Sequence, residues 1–395
     1  MTDALDWVIV GGGIHGVHVA VRLLGEAGVP RSGIRLVDPG KHLLDSWRRC
    51  TANTGMQHLR SPAVHHLDVD PWSLLDFAGA NRRGRGAAKG MFAPPYLRPS
   101  VDLFSQHCDD IIDRFGLDEL HIRARAESIE LVGEGAEVHL DVGGQPLRTR
   151  RVLLAMGGSA PHWPEDAQGL REDGFMIRHV FEPGFRLKPD DWPERVAVVG
   201  GGISAAQVAL RLAKADKQVH FVARHALRKH QFDSDPGWIG PKNMRRFSAT
   251  SDLAQRRQMI ADARHRGSLP PDVHRALLWA IREERITHHH GQPLLRPEGE
   301  QIAVELAEET LTVGAVLLAT GFSQQRPGGA VVDQLIHRHA LPCAACGYPV
   351  VDTHLRWHPS VFVTGPLAEL EVGPVSRNIV GARKAANRIL EGARA

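Results

Sequence analysis

The sequence predicts an α/β chain built from two copies of one strand–turn–helix module, and three observations predict it. Gly11-Gly12-Gly13-Ile14-His15-Gly16 follows the apolar run Trp7-Val8-Ile9-Val10. Gly200-Gly201-Gly202-Ile203-Ser204-Ala205 follows the matching run Val196-Ala197-Val198-Val199. Leu153-Leu154-Ala155-Met156-Gly157 and Leu317-Leu318-Ala319-Thr320-Gly321 then close the two copies with the same kind of strand end. Short uninterrupted apolar runs of this length read as buried parallel strands.

The residue types at each turn have a chemical reason. In a strand–turn–helix unit the first glycine permits the tight turn. The second lets backbone approach a pyrophosphate, and the third, or an alanine, lets helix pack on strand. The helix amino terminus then presents unpaired N–H groups and a positive dipole end to phosphate. Gly11, Gly13, Ile14 and Gly16 at the first turn, and Gly200, Gly202, Ile203 and Ser204 at the second, are therefore candidate dinucleotide contacts.

The next strand of each module distinguishes the two sites. The strand Ile34-Arg35-Leu36-Val37 ends in Asp38, whose carboxylate suits the two hydroxyls of an unmodified ribose. The equivalent strand Val219-His220-Phe221-Val222 leads to Arg224, with Arg228 and Lys229 close behind. Arginine suits a ribose phosphate that a carboxylate would repel. The first site is assigned to FAD and the second to NADPH.

The order of elements repeats as well. Strands His121 to Ala126, Ser128 to Val132 and Glu137 to Val142 precede the strand Arg151 to Ala155. Ile302 to Leu306 and Thr310 to Val313 precede the strand that ends at Gly321. The predicted fold is thus two Rossmann-like dinucleotide-binding domains, each with a central parallel sheet and a smaller antiparallel crossover sheet. Proline and glycine gather at the joins, so the NADPH domain (161–320) is placed as an insertion in the FAD domain (1–160 and 321–395). Trp47 to Pro99 and Arg228 to Pro271 show little periodicity, and long irregular segments inside compact domains tend to carry function.

Composition narrows the class. The 395 residues fit two domains. The 48 basic and 45 acidic residues leave a formal charge of only +3, which gives no argument for nucleic acid. The run Arg82-Arg83-Gly84-Arg85-Gly86 is read as a solvated loop. No stretch approaches the roughly 20 apolar residues of a membrane helix. Met1 to Asp6 lacks the features of a signal peptide, so a cytoplasmic location with reduced thiols is expected.

Taken together, the first fingerprint, Met56-Gln57, the second fingerprint with Ser204-Ala205-Ala206, and Leu318-Ala319-Thr320-Gly321-Phe322 with Pro327 beyond it resemble the class B flavin-dependent monooxygenases. The likeness is greatest to the lysine and ornithine N-hydroxylases, and it covers most of the chain as an order of motifs. There are departures. The Phe-x-Gly-x-x-x-His pattern is absent before the second fingerprint, where only His179-Val180-Phe181 and Phe185 remain. The lysine those hydroxylases carry near their Met-Gln pair has no counterpart, and Leu59-Arg60-Ser61-Pro62 stands there instead.

The resemblance implies that NADPH reduces the flavin, that dioxygen adds at flavin C4a, and that the hydroperoxide oxygenates an amine or sulfur of a small substrate. It places Met56 and Gln57 along the flavin, with Gln57 and Asn53 as hydrogen-bonding partners; Asn53 also reads as a turn residue. Trp47 reads either as packing on the ring system or as core. Thr320 and Gly321 come with the matched motif. Gly365, Pro374, Arg377 and Asn378 lie just before the helix Ile379 to Leu390, whose amino end would face the flavin and offset the charge of its reduced anion. Arg60 stands in for the missing lysine, and Phe232 and Trp238 in the irregular segment are further substrate candidates.

Two other readings remain open. Cys343-Ala344-Ala345-Cys346 would serve a dithiol–disulfide or other-acceptor oxidoreductase, or an oxidase would reduce oxygen without transferring it. A flavin-binding redox sensor or scaffold is the second. No metal is expected. The cysteine pair is too small a set for a zinc site unless His337, His339 or His354 completes it, and His288-His289-His290 reads as a solvated strand edge. Oligomeric state leaves no trace in the sequence.

Overall fold

The computed structural model describes residues 4–394. The first sheet has eight strands. Its parallel centre runs in the order Val361–Val363, Leu147–Leu154, Leu5–Val10, Ile34–Asp38 and His121–Arg123. The second sheet has five parallel strands in the order Ile286–His290, Gln218–Ala223, Arg195–Val199, Ala315–Leu318 and Ile177–His179. The first sheet takes strands from both ends of the chain and the second only from its middle, so the second module is inserted within the first.

Register ties each closing strand to its fingerprint strand. Val10 pairs with Leu154 and Val199 with Leu318, so both glycine turns open at the same carboxyl edge of their sheets. Ligands of open α/β sheets bind beyond that edge. The fingerprint helices Ile14–Gly25 and Ile203–Lys214 start there.

The antiparallel parts differ between the modules. In the first, Ala126–Val132 pairs with Gly135–Leu140, which pairs in turn onto the start of the long strand Leu147–Leu154, whose far end runs parallel to Leu5–Val10. The meander is therefore continuous with the main sheet rather than a separate sheet. In the second, Leu294–Glu298, Gln301–Glu305 and Thr310–Val313 form a sheet of their own. Gly314 breaks the chain between Val313 and the strand Ala315–Leu318, packed where a side chain would strike Pro193.

The seam between the modules is polar and specific. The helix Asp45–Thr54 of the first lies against the helix Ile203–Lys214 of the second. Arg211 donates to the carbonyls of Ala52, Asn53 and Leu187. The final helix, Ile379–Arg394, packs on the first fingerprint helix. Among the described residues no helix is long and apolar enough to cross a membrane.

Candidate functional site

At the first turn Gly11 has φ +116°, and a side chain there would lie on the carbonyl of Ala155. Around Gly13, by contrast, a side chain would meet only open space. That is the cradle an approaching phosphate needs. Asp38 stands at the end of the adjacent strand and accepts from the N–H of Gly12 at 2.7 Å and of Gly40 at 2.8 Å. A carboxylate has about four acceptor positions, so room is left for ribose hydroxyls. His15 reaches across to the Thr364 hydroxyl at 2.9 Å, beside Gly365. Burial lowers its imidazole to about 4, so it is neutral at physiological pH.

The second turn repeats the arrangement. Gly200 has φ +145°, and a side chain there would strike the carbonyl of Ala319. This turn opens into a cavity of about 890 Å³ at the seam between the modules. Gly200, Gly202, Ile203 and Ser204 form one wall, with Thr320 and Gly321 beside them. Arg224 and Arg228 stand past the strand Gln218–Ala223, and both side chains are exposed. Arg228 also donates to the Arg266 carbonyl at 3.3 Å. The loop of Arg264 to Ser268 crosses close to Gly202.

Seven arginines line this cavity against two aspartates, Asp166 and Asp233. The turn, the helix amino end and the arginines past the strand Gln218–Ala223, Arg224 and Arg228 with Arg266 beside them, together fit a phosphorylated dinucleotide. The cavity reaches the first module at Arg60 and Arg377. Arg377 donates from Nε to Glu369 at 3.0 Å and from Nη2 to the Tyr348 hydroxyl at 3.1 Å. Asn378 ends the turn Pro374–Arg377 just before the final helix, its carbonyl accepts from the Ala382 N–H, and its Nδ2 donates to Asp233 at 3.1 Å. Pro374 is buried beside them, and its carbonyl accepts from Arg264.

Several expected contacts are placed elsewhere. Asn53 is buried, and both amide hydrogens go to the carbonyls of Val180 and Phe185, while Oδ1 accepts from Leu187 N–H. The residue ties the modules together, and its donors are not available to a flavin. Trp47 packs on Phe104, ring centres 5.1 Å apart, in the core of the first module. Trp238 belongs to a small apolar cluster with Met244, Phe247, Ile260 and Tyr348. Arg60 lines the cavity, but Nε and Nη2 donate to the carbonyls of Gln231 and His230 and to the Ser268 hydroxyl.

Phe232 packs against the exposed Tyr96 at 5.1 Å. Met56 is partly buried on the first core, just past the helix Asp45–Thr54, and Gln57 is exposed. The histidine run is not wholly solvated. His289 is buried, with Nε2 3.0 Å from His220 and Nδ1 2.7 Å from Glu309. Among the described residues no cluster of three or more His, Cys, Asp or Glu could hold a metal ion.

Residues not singled out from the sequence complete the site. Glu369 is 0% exposed and receives Arg257, Arg264 and Arg377. The ring of His225 lies over Gly201 and Gly267. The sequence signal for Arg257 and Arg264 was membership of the irregular Arg228 to Pro271 segment. For Glu369 it was a carboxylate within the apolar run Leu367 to Val372, and for His225 only its place beside Arg224.

Two dinucleotide-binding modules, the second opening on a cavity that reaches Arg60 and Arg377 of the first, define a two-nucleotide oxidoreductase architecture. The chain belongs to the pyridine nucleotide-disulphide oxidoreductase family, whose model matches residues 5–237. No curated protein matches it. Among solved structures it is similar to the FAD-bound cadaverine monooxygenase of desferrioxamine biosynthesis from Erwinia amylovora, with a TM-score of 0.75 and 18% identity over 99% of this chain and 95% of that one. It is likewise similar to the ornithine N-hydroxylase of Kutzneria sp. 744, solved with reduced FAD, NADP+ and L-ornithine, with a TM-score of 0.75 and 16% identity over 99% of both chains. The L-lysine 6-monooxygenase of Pseudomonas syringae gives a TM-score of 0.72 and 20% identity, again over 99% of both. At these identities the likeness is one of fold.

Proposed function

We propose that the protein is an FAD-dependent monooxygenase that uses NADPH and dioxygen to oxygenate a small soft nucleophile, an amine nitrogen or a sulfur. The observation that carries this reading is the single cavity that joins the second fingerprint to the carboxyl-terminal residues of the first module. A nicotinamide bound along it would end beside Arg377 and Asn378. Bound flavin would supply the two-electron chemistry that activates dioxygen.

The chain's own residues would do the rest. The Gly11 turn and the amino end of the Ile14–Gly25 helix hold the FAD pyrophosphate, and Asp38 takes its ribose. Arg224, Arg228 and Arg266 take the phosphate that marks NADPH. The amino end of the Ile379–Arg394 helix offsets negative charge on reduced flavin. Met56 and Gln57 are retained as neighbours of the flavin ring. The stacked rings of Phe181 and Phe322, 5.1 Å apart, line the cavity and help keep water from it.

A dithiol–disulfide reaction at this site is the less favoured reading, because among the described residues no cysteine lines the cavity. Cys108 is buried in the first core, where burial raises its thiol beyond ready ionisation. Cys343 and Cys346 sit in a turn closed by the Ala344 N–H to Tyr348 carbonyl bond. The test is NADPH consumption measured beside product and hydrogen peroxide over a panel of amines, thiols and thioethers. Product matching NADPH for some member is expected. Peroxide alone across the whole panel would make the protein an oxidase.

A further inference from the structure

The part of the cavity wall nearest Glu369 carries more positive charge than the fold requires. Four guanidiniums, those of Arg60, Arg257, Arg264 and Arg377, meet two carboxylates there, Asp233 on the wall and Glu369 behind it. Four against two leaves an excess of two positive charges. Glu369 accepts from Arg257 on Oε1, and from Arg264 at 3.1 Å and Arg377 at 3.0 Å on Oε2. Two segments distant in sequence thus converge on one carboxylate: the helix Leu253–Ala263 with Arg264 that ends it, and the turn Pro374–Arg377.

The guanidinium planes are fixed as well as gathered. Arg257 lies over the Tyr348 ring, 4.4 Å from its centre, and Arg377 donates to the same tyrosine's hydroxyl. The side chains of Arg257, Arg264 and Arg377 are 26%, 15% and 27% exposed, so they are only thinly solvated. None of their unpaired nitrogens is sealed from solvent, and all three residues line the cavity. Burial, and then the neighbouring Arg377, pulls the Arg264 guanidinium down to about 9. Stability alone would not gather three cations around one buried carboxylate, because removing charge from water is costly unless each charge is matched. A preorganised, partly dry fork of guanidiniums is what recognises an incoming anion.

We propose that Arg257, Arg264 and Arg377, held in place by Glu369, form a subsite for an anionic end group of the substrate, separate from the phosphate-binding Arg224, Arg228 and Arg266. The substrate is then a soft nucleophile that carries a negative end, such as a carboxylate, rather than a simple cationic or neutral amine. This rests on the monooxygenase reading for the word substrate, though the anion subsite itself does not.

The test uses the FAD-loaded protein saturated with NADP+, so that the phosphate-binding arginines are already occupied. Methylthiopropanoate, its methyl ester and methylthiopropylamine share one soft sulfur and differ in end-group charge. Calorimetric titration is expected to show the propanoate binding at least about tenfold more tightly than either of the others. Arg257→Gln and Arg264→Gln should each abolish that preference and leave NADP+ affinity within about twofold of the parent. The wild-type comparison stands even if a variant fails to fold. Equal affinities, tighter binding of the amine, or no binding of the propanoate would overturn the subsite. Propanoate binding without oxygen transfer would leave the subsite intact and count against the monooxygenase reading. Oxygenation of all three probes with equal affinity would do the reverse.

Discussion

Gly11 and Gly200 occupy the same place in their two modules: each has a positive φ, and each lies against the carbonyl of the alanine just past the neighbouring strand, Ala155 for one and Ala319 for the other. A left-handed residue with backbone against it tolerates no side chain. Gly200→Ala is therefore expected to cost about 1–3 kcal/mol in strain and to displace the turn that faces the phosphates. NADPH affinity should fall while bound FAD is retained. Gly11→Ala should show the opposite pattern, with loss of FAD, as read by the flavin-to-protein absorbance ratio.

Asn53 closes three backbone groups of the second module from a helix of the first. Asn53→Ala leaves the carbonyls of Val180 and Phe185 and the N–H of Leu187 without these partners, a loss of about 1–3 kcal/mol. A lowered melting temperature with an unchanged flavin spectrum is the expected result. A shifted flavin spectrum at unchanged stability would return Asn53 to the flavin.

Arg224 and Arg228 stand exposed on the cavity wall, and Arg228 donates to the Arg266 carbonyl rather than to a carboxylate. If they serve the cofactor phosphate, Arg228→Gln should raise the KM for NADPH roughly 10- to 100-fold, the loss of one charge-assisted contact. The KM for NADH should hardly change. Equal effects on both nucleotides would place the arginine at the shared pyrophosphate.

His107 and His179 are fully buried, and desolvation lowers each to about 4 from the ordinary value of 6.5. Above pH 6.5 both are neutral in folded and unfolded chains and contribute no pH dependence. Between pH 6.5 and 4 the unfolded chain takes up protons that the folded one refuses, so stability declines by roughly 3 kcal/mol per histidine at pH 4. Chemical denaturation at pH 7, 5.5 and 4.5 should show that decline. A His179→Gln variant should lessen it.

Cys343→Ser combined with Cys346→Ser should leave NADPH oxidation and flavin reoxidation unchanged, because neither cysteine lines the cavity. A large loss of turnover would restore the disulfide reading.

The parallel strands and both turns were legible because uninterrupted apolar runs and glycine spacing are local signals. The edge strands Ile177–His179 and Leu294–Glu298 were not, since one has three residues and the other carries Pro297 on an exposed edge. Residue type gave the right chemistry for Asn53 and Trp47 but not the element each faces. That is set by the packing of Asp45–Thr54 between the modules. The Arg257–Glu369 pair spans 112 residues, and no sequence spacing announces it. The charge contrast between Asp38 and Arg224 was readable because each lies at the end of a strand whose place was already known.

Oxygen transfer is tested most directly by turnover under isotopically labelled dioxygen, with mass spectrometry of the product of whichever amine or sulfur compound couples to NADPH. A monooxygenase leaves one labelled oxygen atom in the product and the other in water, and that is the expected result. An unlabelled product, or label recovered only in hydrogen peroxide, would contradict it.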